Sequence, residues 1–177
     1  KPRAVWRLGV GRTLQITQTF VSMTVRENVQ MALISHHHRT RAMLSRATNL
    51  YRDDADALLA RVGMEPQAPR AASELAYGDL KRLELAIALA HAPKVLLMDE
   101  PTAGMSRADT NNTIDLLKRI GERGITMMII EHDMHVVFSL ADKISVLAQG
   151  TVIAEDLPEN IKGNPKVQEA YLGGAHL

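Results

Sequence analysis

Two short apolar runs separated by an amphipathic helical pattern constrain the fold of this chain more than any other feature. Residues 95–98 read VLLM and residues 125–130 read ITMMII, and strands that are apolar on both faces are typical of buried parallel sheets. Between them, residues 106–123 carry apolar side chains at helical spacing, with Ser106 as the capping residue and Gly124 after the end. This order predicts a right-handed crossover in a parallel sheet, and hence an α/β fold.

The part of the chain before these strands is predicted to be mainly helical. Residues 9–20 predict a strand that leads into a polar loop. Thr24 and Glu27 have the spacing of a capping box. Helices are predicted over residues 24–33, 53–63 and 79–91, with a loop at residues 64–72.

Residues 35–45, SHHHRTRAMLS, lack a clear period and predict a polar loop. Three adjacent histidines, His36, His37 and His38, cannot easily converge on one metal ion, so a solvated surface is the preferred interpretation.

The end of the chain predicts a small mixed segment. A short helix is expected over residues 133–141, and Gln149 and Gly150 predict a turn between strands at 144–147 and 152–154. We expect this antiparallel hairpin at the edge of the parallel sheet. Asn164 and Pro165 are expected to start a last helix.

Composition narrows the functions open to the chain. Its 177 residues carry 21 Lys+Arg against 20 Asp+Glu, a formal net charge of +1, and only 3% are aromatic, which disfavours nucleic-acid binding. It has no cysteine, which excludes disulfides, thiolate zinc sites and thiol nucleophiles. No apolar run approaches the roughly 20 residues of a spanning helix, so membrane association is expected to pass through a partner.

Two adjacent carboxylates, Asp99 and Glu100, directly follow the first apolar strand in the sequence VLLMDEPTAG. Ligands bind beyond the C-terminal ends of parallel strands, and two carboxylates placed there are costly without a cation. We predict that Asp99 holds a metal through water and that Glu100 orients or deprotonates the attacking water of a phosphoryl transfer. Taken alone, Asp-Glu-Pro after a strand is more often a helix N-cap and turn.

Two further segments favour the catalytic interpretation. Residues 75–79, LAYGD, place a glycine at the start of a helix whose amides and dipole favour an anion. His132 follows the second apolar strand and is expected at the same sheet edge as Glu100.

Together these motifs resemble the nucleotide-binding subunit of ABC transporters over nearly all of the chain. RTLQ ending at Gln15 is similar to the Q-loop, and residues 75–89, LAYGDLKRLELAIAL, to the signature motif and its helix. VLLMDE is similar to the Walker B strand, AGMS to the D-loop and IIEHD to the switch-histidine segment. Four segments make the resemblance more specific, to the branched-chain amino-acid subfamily of bacterial importers: GVGRTLQ, PTAGM, IEHDM and NPKVQEAYLG. The implied fold is P-loop NTPase-like, half of a RecA-like core with a helical subdomain, incomplete at the N-terminus.

The resemblance implies roles for individual residues. Gln15 would sense the γ-phosphate and Mg²⁺ and contact the permease, while Asp99 would bind Mg²⁺ through water. Glu100 would be the general base, and His132 would contact the γ-phosphate. The signature residues would cap ATP held by the partner subunit of a head-to-tail dimer; they are Leu75, Ala76, Tyr77, Gly78 and Asp79.

The resemblance also implies an organisation and a set of partners. Residues 1–15 would end a core strand and the Q-loop, residues 16–92 would form the helical subdomain, and residues 93–177 the C-terminal half of the core. ATP and Mg²⁺ are the implied cofactors. The implied partners are a second ABC ATPase subunit, transmembrane permease subunits and, indirectly, a periplasmic or extracellular substrate-binding protein. The protein would be cytoplasmic, peripheral on the inner face of the membrane.

The chain departs from the family pattern in two places. The P-loop GxxxxGK[ST] belongs well upstream of the Q-loop, and the nearby pair Gly9 and Gly11 lacks the following Lys-Ser/Thr. We therefore expect a C-terminal portion of such a subunit, inactive by itself. In the signature, where the family reads LSGGQ, Ala76 removes a hydroxyl donor. Asp79 places a carboxylate near an anion and is expected to take the free amides of the helix as its N-cap.

Two other functions stay open. A catalytically inactive ABC-type interaction module would keep the dimer surface, and the missing P-loop and altered signature support it. A non-transport ABC ATPase of DNA repair or translation would require a long coiled coil or tandem ATPase domains, and neither is visible in the sequence.

Overall fold

The computed structural model describes residues 9–13, 19–37 and 50–172. They fall into two compact units, divided between Ile130 and Glu131, which are described one at a time. The domain boundaries predicted near residues 15 and 92 stay predictions. None of the helices in the described residues combines the length and apolar character needed to cross a bilayer.

The first unit contains a parallel sheet of three strands, β1 (Val10–Arg12), β2 (Val95–Asp99) and β3 (Thr126–Ile130). β2 lies in the middle and pairs in parallel with both neighbours, which confirms the predicted parallel arrangement. Its inward side chains Leu96 and Met98 are 0% and 3% exposed. Because these buried side chains anchor β2, they also fix the position of its C-terminal end at the edge of the sheet.

Four α-helices accompany this sheet among the described residues: α1 (Val25–His36), α2 (Arg52–Arg61), α3 (Tyr77–Leu89) and α4 (Arg107–Gly121). The largest fully buried side chains of the unit come from these helices, from β2 and from one connecting turn; they are Val25, Val29, Leu59, Val62, Met64, Leu83, Leu96 and Leu117.

The start of α1 confirms the predicted capping box. The Thr24 hydroxyl accepts a hydrogen bond from the Glu27 amide (3.2 Å), and the Glu27 carboxylate accepts one from the Thr24 amide (2.8 Å). The bonds with Thr24 lower the pKa of Glu27. The helix runs to His36, into the loop predicted at 35–45, and residues 38–45 lie outside the described residues. The reason is tertiary, because His36 packs against His91 with ring centroids 5.5 Å apart.

The other helices of this unit follow the predicted pattern with one shift. α2 ends before Gly63, whose φ is +71°, as predicted. In α4, Ser106 caps the helix by accepting from the Asp109 amide (3.2 Å). α3 begins at Tyr77, two residues before the predicted start, because Ala76 already has the extended backbone of an N-cap residue.

The second unit is built from α5 (Met134–Leu140), β4 (Ile144–Ala148), β5 (Thr151–Asp156), α6 (Pro158–Lys162) and α7 (Pro165–Leu172). Gln149 and Gly150 have φ values of +51° and +77°, as a two-residue hairpin turn requires. The hairpin is confirmed, but among the described residues β4 and β5 form a two-stranded sheet of their own. The turn was predictable because its residues are adjacent in sequence. The expected place of the hairpin at the edge of the parallel sheet was not, because packing decides which sheet a strand joins. Helix α6 was not predicted because five residues are too few to show a period.

Candidate active site

Asp99 and Glu100 lie where the central strand leaves the sheet. Asp99 is the last residue of β2 and is opposite Ile130 of β3. The Glu100 amide donates a hydrogen bond to the Ile130 carbonyl oxygen (2.9 Å). Both carboxylate residues are partly exposed. The apolar strand therefore delivers two adjacent acids to the edge at which α/β sheets bind ligands.

Glu100 has a left-handed backbone, with φ of +48°. This conformation costs a residue other than glycine about 1–2 kcal/mol, and such residues cluster at functional sites. Glu100 opens the strand-end loop, residues 100–105, where the Ala103 amide donates to the Glu100 carbonyl (3.2 Å) and the Met105 amide to that of Thr102 (3.2 Å). These hydrogen bonds form a turn, and the turn sets the direction in which the chain continues after Glu100.

The signature segment starts α3 without a side-chain cap. Leu75 is buried and Ala76 is the N-cap residue, whose side chain makes no capping hydrogen bond. Asp79 is the third residue of the helix, so the prediction that it acts as the N-cap is wrong. Its Oδ1 lies 3.8 Å from Arg82 Nη1 on the next turn. An uncapped helix start keeps amide donors for an anion.

Tyr77 lies near the strand-end loop. Its side chain is 47% exposed, and a methyl group built on the Gly104 Cα would be 3.6 Å from Tyr77 Cε1. The start of α3 and the loop that follows Glu100 are therefore neighbours within this unit.

A small cleft of about 20 Å³ lies between α3, the end of β2 and the strand-end loop. Asp99, Met105 and Thr13 contribute to its wall. On the α3 side, Lys81 Nζ and Glu84 Oε2 form an ion pair of 3.3 Å, with side chains 8% and 7% exposed. Sequence reasoning missed this pair, although two charges on the buried stripe of an amphipathic helix are the signal that could have found it.

The remaining predicted residues are Gln15 and His132. Gln15 is outside the described residues. His132 belongs to the second unit, is exposed, and donates its backbone amide to Glu131 Oε2 (3.2 Å). The next residue, Asp133, caps α5 by accepting from the His135 amide (2.8 Å). The expected convergence of His132 with Glu100 stays a prediction.

One of the described residues, Asp99, is suited to hold Mg²⁺. Among the described residues, no group of three or more His, Cys, Asp or Glu side chains could hold a metal ion by itself. Magnesium in phosphate sites needs only one or two carboxylates, because substrate oxygens and water complete its shell. Asp99, a partly exposed carboxylate at the strand end, fits that requirement.

The histidines of the predicted loop are only partly solvated. His37 is exposed and stacks on Tyr51, with ring centroids 4.8 Å apart. His36 is half-buried, which corrects the prediction for that residue, and His38 lies outside the described residues. Burial lowers the pKa of the neighbouring His91, and the charge of a protonated His36 lowers it further.

The chain is similar to known proteins along nearly its whole length. Residues 1–103 match the ABC transporter family, and residues 151–177 match the family of branched-chain amino acid ATP-binding cassette transporters. The high-affinity branched-chain amino acid transport ATP-binding protein LivG of Escherichia coli K12 is 38% identical over 180 residues, covering 96% of this chain and 69% of LivG.

Two solved structures show the same architecture. The ADP conformation of MJ1267, an ATP-binding cassette of an ABC transporter, superposes with a TM-score of 0.81 at 29% identity and covers 98% of this chain and 72% of that chain. A dimeric post-hydrolysis state of the ATP-binding cassette MJ0796, bound to ADP and Pi, has a TM-score of 0.69 at 27% identity, covering 84% and 62%.

The fold is that of an ATP-binding cassette, of the α/β, P-loop NTPase-like class. More particularly, the chain belongs to the ABC transporter family of ATP-binding proteins. The resemblance stated from its motifs is thereby confirmed.

Proposed function

We propose that this protein is the ATP-hydrolysing subunit of an importer for branched-chain or similar amino acids. The observation that supports hydrolysis most directly is Glu100, held in a left-handed backbone immediately after Asp99 at the end of a buried parallel strand. Backbone strain of this kind is found at functional sites as well as in turns such as that at Gln149, and at Glu100 it falls on an acid at the strand end where α/β sheets bind ligands. The printed name of LivG, branched-chain amino acid transport, supports the substrate class.

In the proposed mechanism, each carboxylate has a separate task. Asp99 would hold Mg²⁺ through water, and the ion would supply charge neutralisation on the phosphate oxygens. Glu100 accepts a proton from the attacking water, or orients it, as the γ-phosphoryl group leaves ADP. His132 would contact the γ-phosphate, where negative charge develops, and Gln15 would sense the γ-phosphate and Mg²⁺ and contact the permease.

The signature residues 75–79 act on ATP bound to a second ABC ATPase subunit. The uncapped start of α3 supplies amide donors to that phosphate, and the dimeric ADP-bound relative supports pairing of two cassettes. Two such subunits would drive a transmembrane permease from the cytoplasmic side, with an external substrate-binding protein delivering the amino acid.

Hydrolysis is tested with Glu100→Gln in the assembled transporter. The amide keeps the shape of the side chain but cannot accept the proton, so turnover should nearly vanish while ATP still binds. Glu122→Gln, at the exposed C-cap glutamate that follows α4, is the matched control and should keep full turnover. Turnover of Glu100→Gln within a few-fold of the parent protein would contradict the assignment.

The histidine is tested in the same assay. His132→Ala should lower turnover by on the order of a hundred-fold, because a positioned donor to a developing charge is worth a few kcal/mol. His135→Ala changes another exposed histidine three residues away and should have little effect. Equal effects of both substitutions would show that His132 has no special role.

Uptake in proteoliposomes tests the substrate class and distinguishes an active importer subunit from a catalytically inactive interaction module. Labelled leucine, isoleucine and valine should accumulate only with ATP on the side of the membrane that carries the ATPase subunits, and glutamate should not compete. A catalytically inactive interaction module would bind the partner subunit and permease. Its ATPase and uptake rates would be the same with and without the Glu100→Gln substitution.

A further inference from the structure

Two histidines meet where the ends of α1 and α3 come together. His36 is the last residue of α1, and His91 follows the end of α3 by two residues. Their ring centroids lie 5.5 Å apart, with an angle of 61° between the ring planes. The contact therefore joins two helices that are far apart in the sequence.

Two further rings extend this contact to the start of α2. His37, the C-cap residue of α1, has its ring centroid 5.0 Å from that of His36. On its other side His37 stacks on Tyr51, the N-cap residue of α2, at 4.8 Å. We call these four residues the ring cluster: His36, His37, Tyr51 and His91.

The ring cluster accommodates neutral imidazoles better than charged ones. Within the described ranges, Nδ1 of His36 is buried and has no hydrogen-bond partner. Protonated imidazole carries a hydrogen on both ring nitrogens, so a protonated His36 would bury a donor without an acceptor. Burial lowers the pKa of His91, and the charge on His36 lowers it further. Both influences oppose protonation, and neither comes from a carboxylate.

The other titratable and charged groups at this junction do not reverse that balance. In the described part of the chain, the ring contacts of His36 and His91 bring in His37 and, beyond it, Tyr51. The charged residues that follow Tyr51 in α2, at positions 52–54, are one arginine and two aspartates, and all three are exposed. Exposed carboxylates are screened by water and salt, so they compensate little for charge inside the cluster.

We propose that the contact between His36 and His91 is an acid-sensitive joint between α1 and α3, which opens when its two histidines take up protons while the rest of each helix stays folded. Two positive charges at this distance repel each other, and opening lets water solvate both. The remainder of the two helices is held by apolar burial, since Val25, Val29 and Leu83 are 0% exposed. The inference does not depend on the proposed ATP hydrolysis.

Hydrogen exchange of the full-length protein, read at single amides and corrected for the intrinsic rate, tests the joint. Two amides report on it: that of His37 donates to the Leu33 carbonyl (3.0 Å), and that of Ala92 donates to the Leu89 carbonyl (3.0 Å). The measurement runs from about pH 7.5 to about pH 5.5, across the ordinary histidine pKa of about 6.5. Since an opening that takes up one proton changes up to ten-fold per pH unit, protection of both amides should fall about three- to ten-fold per unit below that value.

Two variants and a control assign the effect to the histidines. His91→Gln should remove the pH dependence of the two reporter amides, because it removes the buried imidazole. His36→Gln should weaken that dependence without abolishing it, because burial of His91 remains. His135→Gln changes an exposed histidine of the second unit and should leave the parent behaviour intact. If one of the two joint variants does not fold, the other still provides the measurement.

A reference amide at the other end of α1 separates local opening from unfolding. The Asn28 amide donates to the Thr24 carbonyl (3.0 Å) and should keep its protection to within about two-fold over the same pH range. An equal loss of protection at Asn28 would mean that the whole helix unfolds and would overturn the joint. Full protection of His37 and Ala92 down to about pH 5.5, or an unchanged pH dependence in His36→Gln, would also overturn it.

Discussion

Replacing Glu100 with glycine should make the protein more stable and inactive at the same time. A residue with φ of +48° and a side chain bears about 1–2 kcal/mol of backbone strain. Glycine relieves that strain but gives back about 0.5–1 kcal/mol through the greater freedom of its unfolded chain. The net gain in the free energy of unfolding is about 0–1.5 kcal/mol, which raises the melting temperature of a chain of this size by up to about 6 °C.

Two control substitutions separate the backbone effect from the side chain. Gln149 has φ of +51° in the hairpin turn, so Gln149→Gly should give a similar gain. Glu122 has φ of −57° at the end of α4, where Glu122→Gly should lose about 0.5–1 kcal/mol. Only Glu100→Gly should abolish ATP turnover, because neither control residue has a proposed catalytic role.

Unfolding in urea or by heating, followed by far-ultraviolet circular dichroism, measures the stabilities, and the assembled transporter gives the turnover. Loss of about 1 kcal/mol or more in Glu100→Gly while Gln149→Gly gains stability would refute the reasoning. It would mean that the Glu100 side chain contributes more to the fold than its backbone conformation costs.

Three further predictions follow from the described contacts. Ala76→Ser with Asp79→Gln should raise ATPase activity of the assembled transporter several-fold, since each restored donor is worth about 1 kcal/mol; unchanged turnover would mean that Asp79, paired with Arg82, does not oppose the phosphate. Burial lowers the pKa of His91 in the folded state. Above the unfolded pKa of about 6.5 this shift costs no stability, and stability is lost as the pH falls from there toward the folded pKa. His91→Gln should therefore flatten the pH dependence of urea unfolding in that pH range. Thr24→Ala removes the capping box of α1 and should cost about 0.5–2 kcal/mol of unfolding free energy, whereas a loss below a few tenths would mean that tertiary contacts alone set the start of the helix.

Local sequence signals were sufficient wherever one element's own residues decide its structure. Thr24 and Glu27 indicated their helix because a capping box satisfies amides within four residues. Gln149 and Gly150 indicated the hairpin because a two-residue turn needs positive φ values. The carboxylates after the apolar strand were found in the same way, since strand order alone places them at a ligand-binding edge.

Features that no local residue pattern signals could not be predicted. The start of α3 moved from the acidic Asp79 to Tyr77 because the extended backbone of Ala76 begins the helix without a side-chain cap, and no residue type signals that. Likewise α1 continued to His36 because its ring packs against His91, a residue far along the chain.

The sequence by itself determined the α/β class, the central parallel strand and the identity of the acids at its end, because periodicity and apolar runs encode burial directly. Tertiary structure decided the left-handed turn at Glu100, the approach of the Tyr77 ring to Gly104 and the burial of Lys81 and Glu84 beside a cleft. Those features depend on how α3 and the strand-end loop pack together. Packing is set by shape and by the cost of burying charge, and neither is visible until segments separated in the sequence are brought into contact.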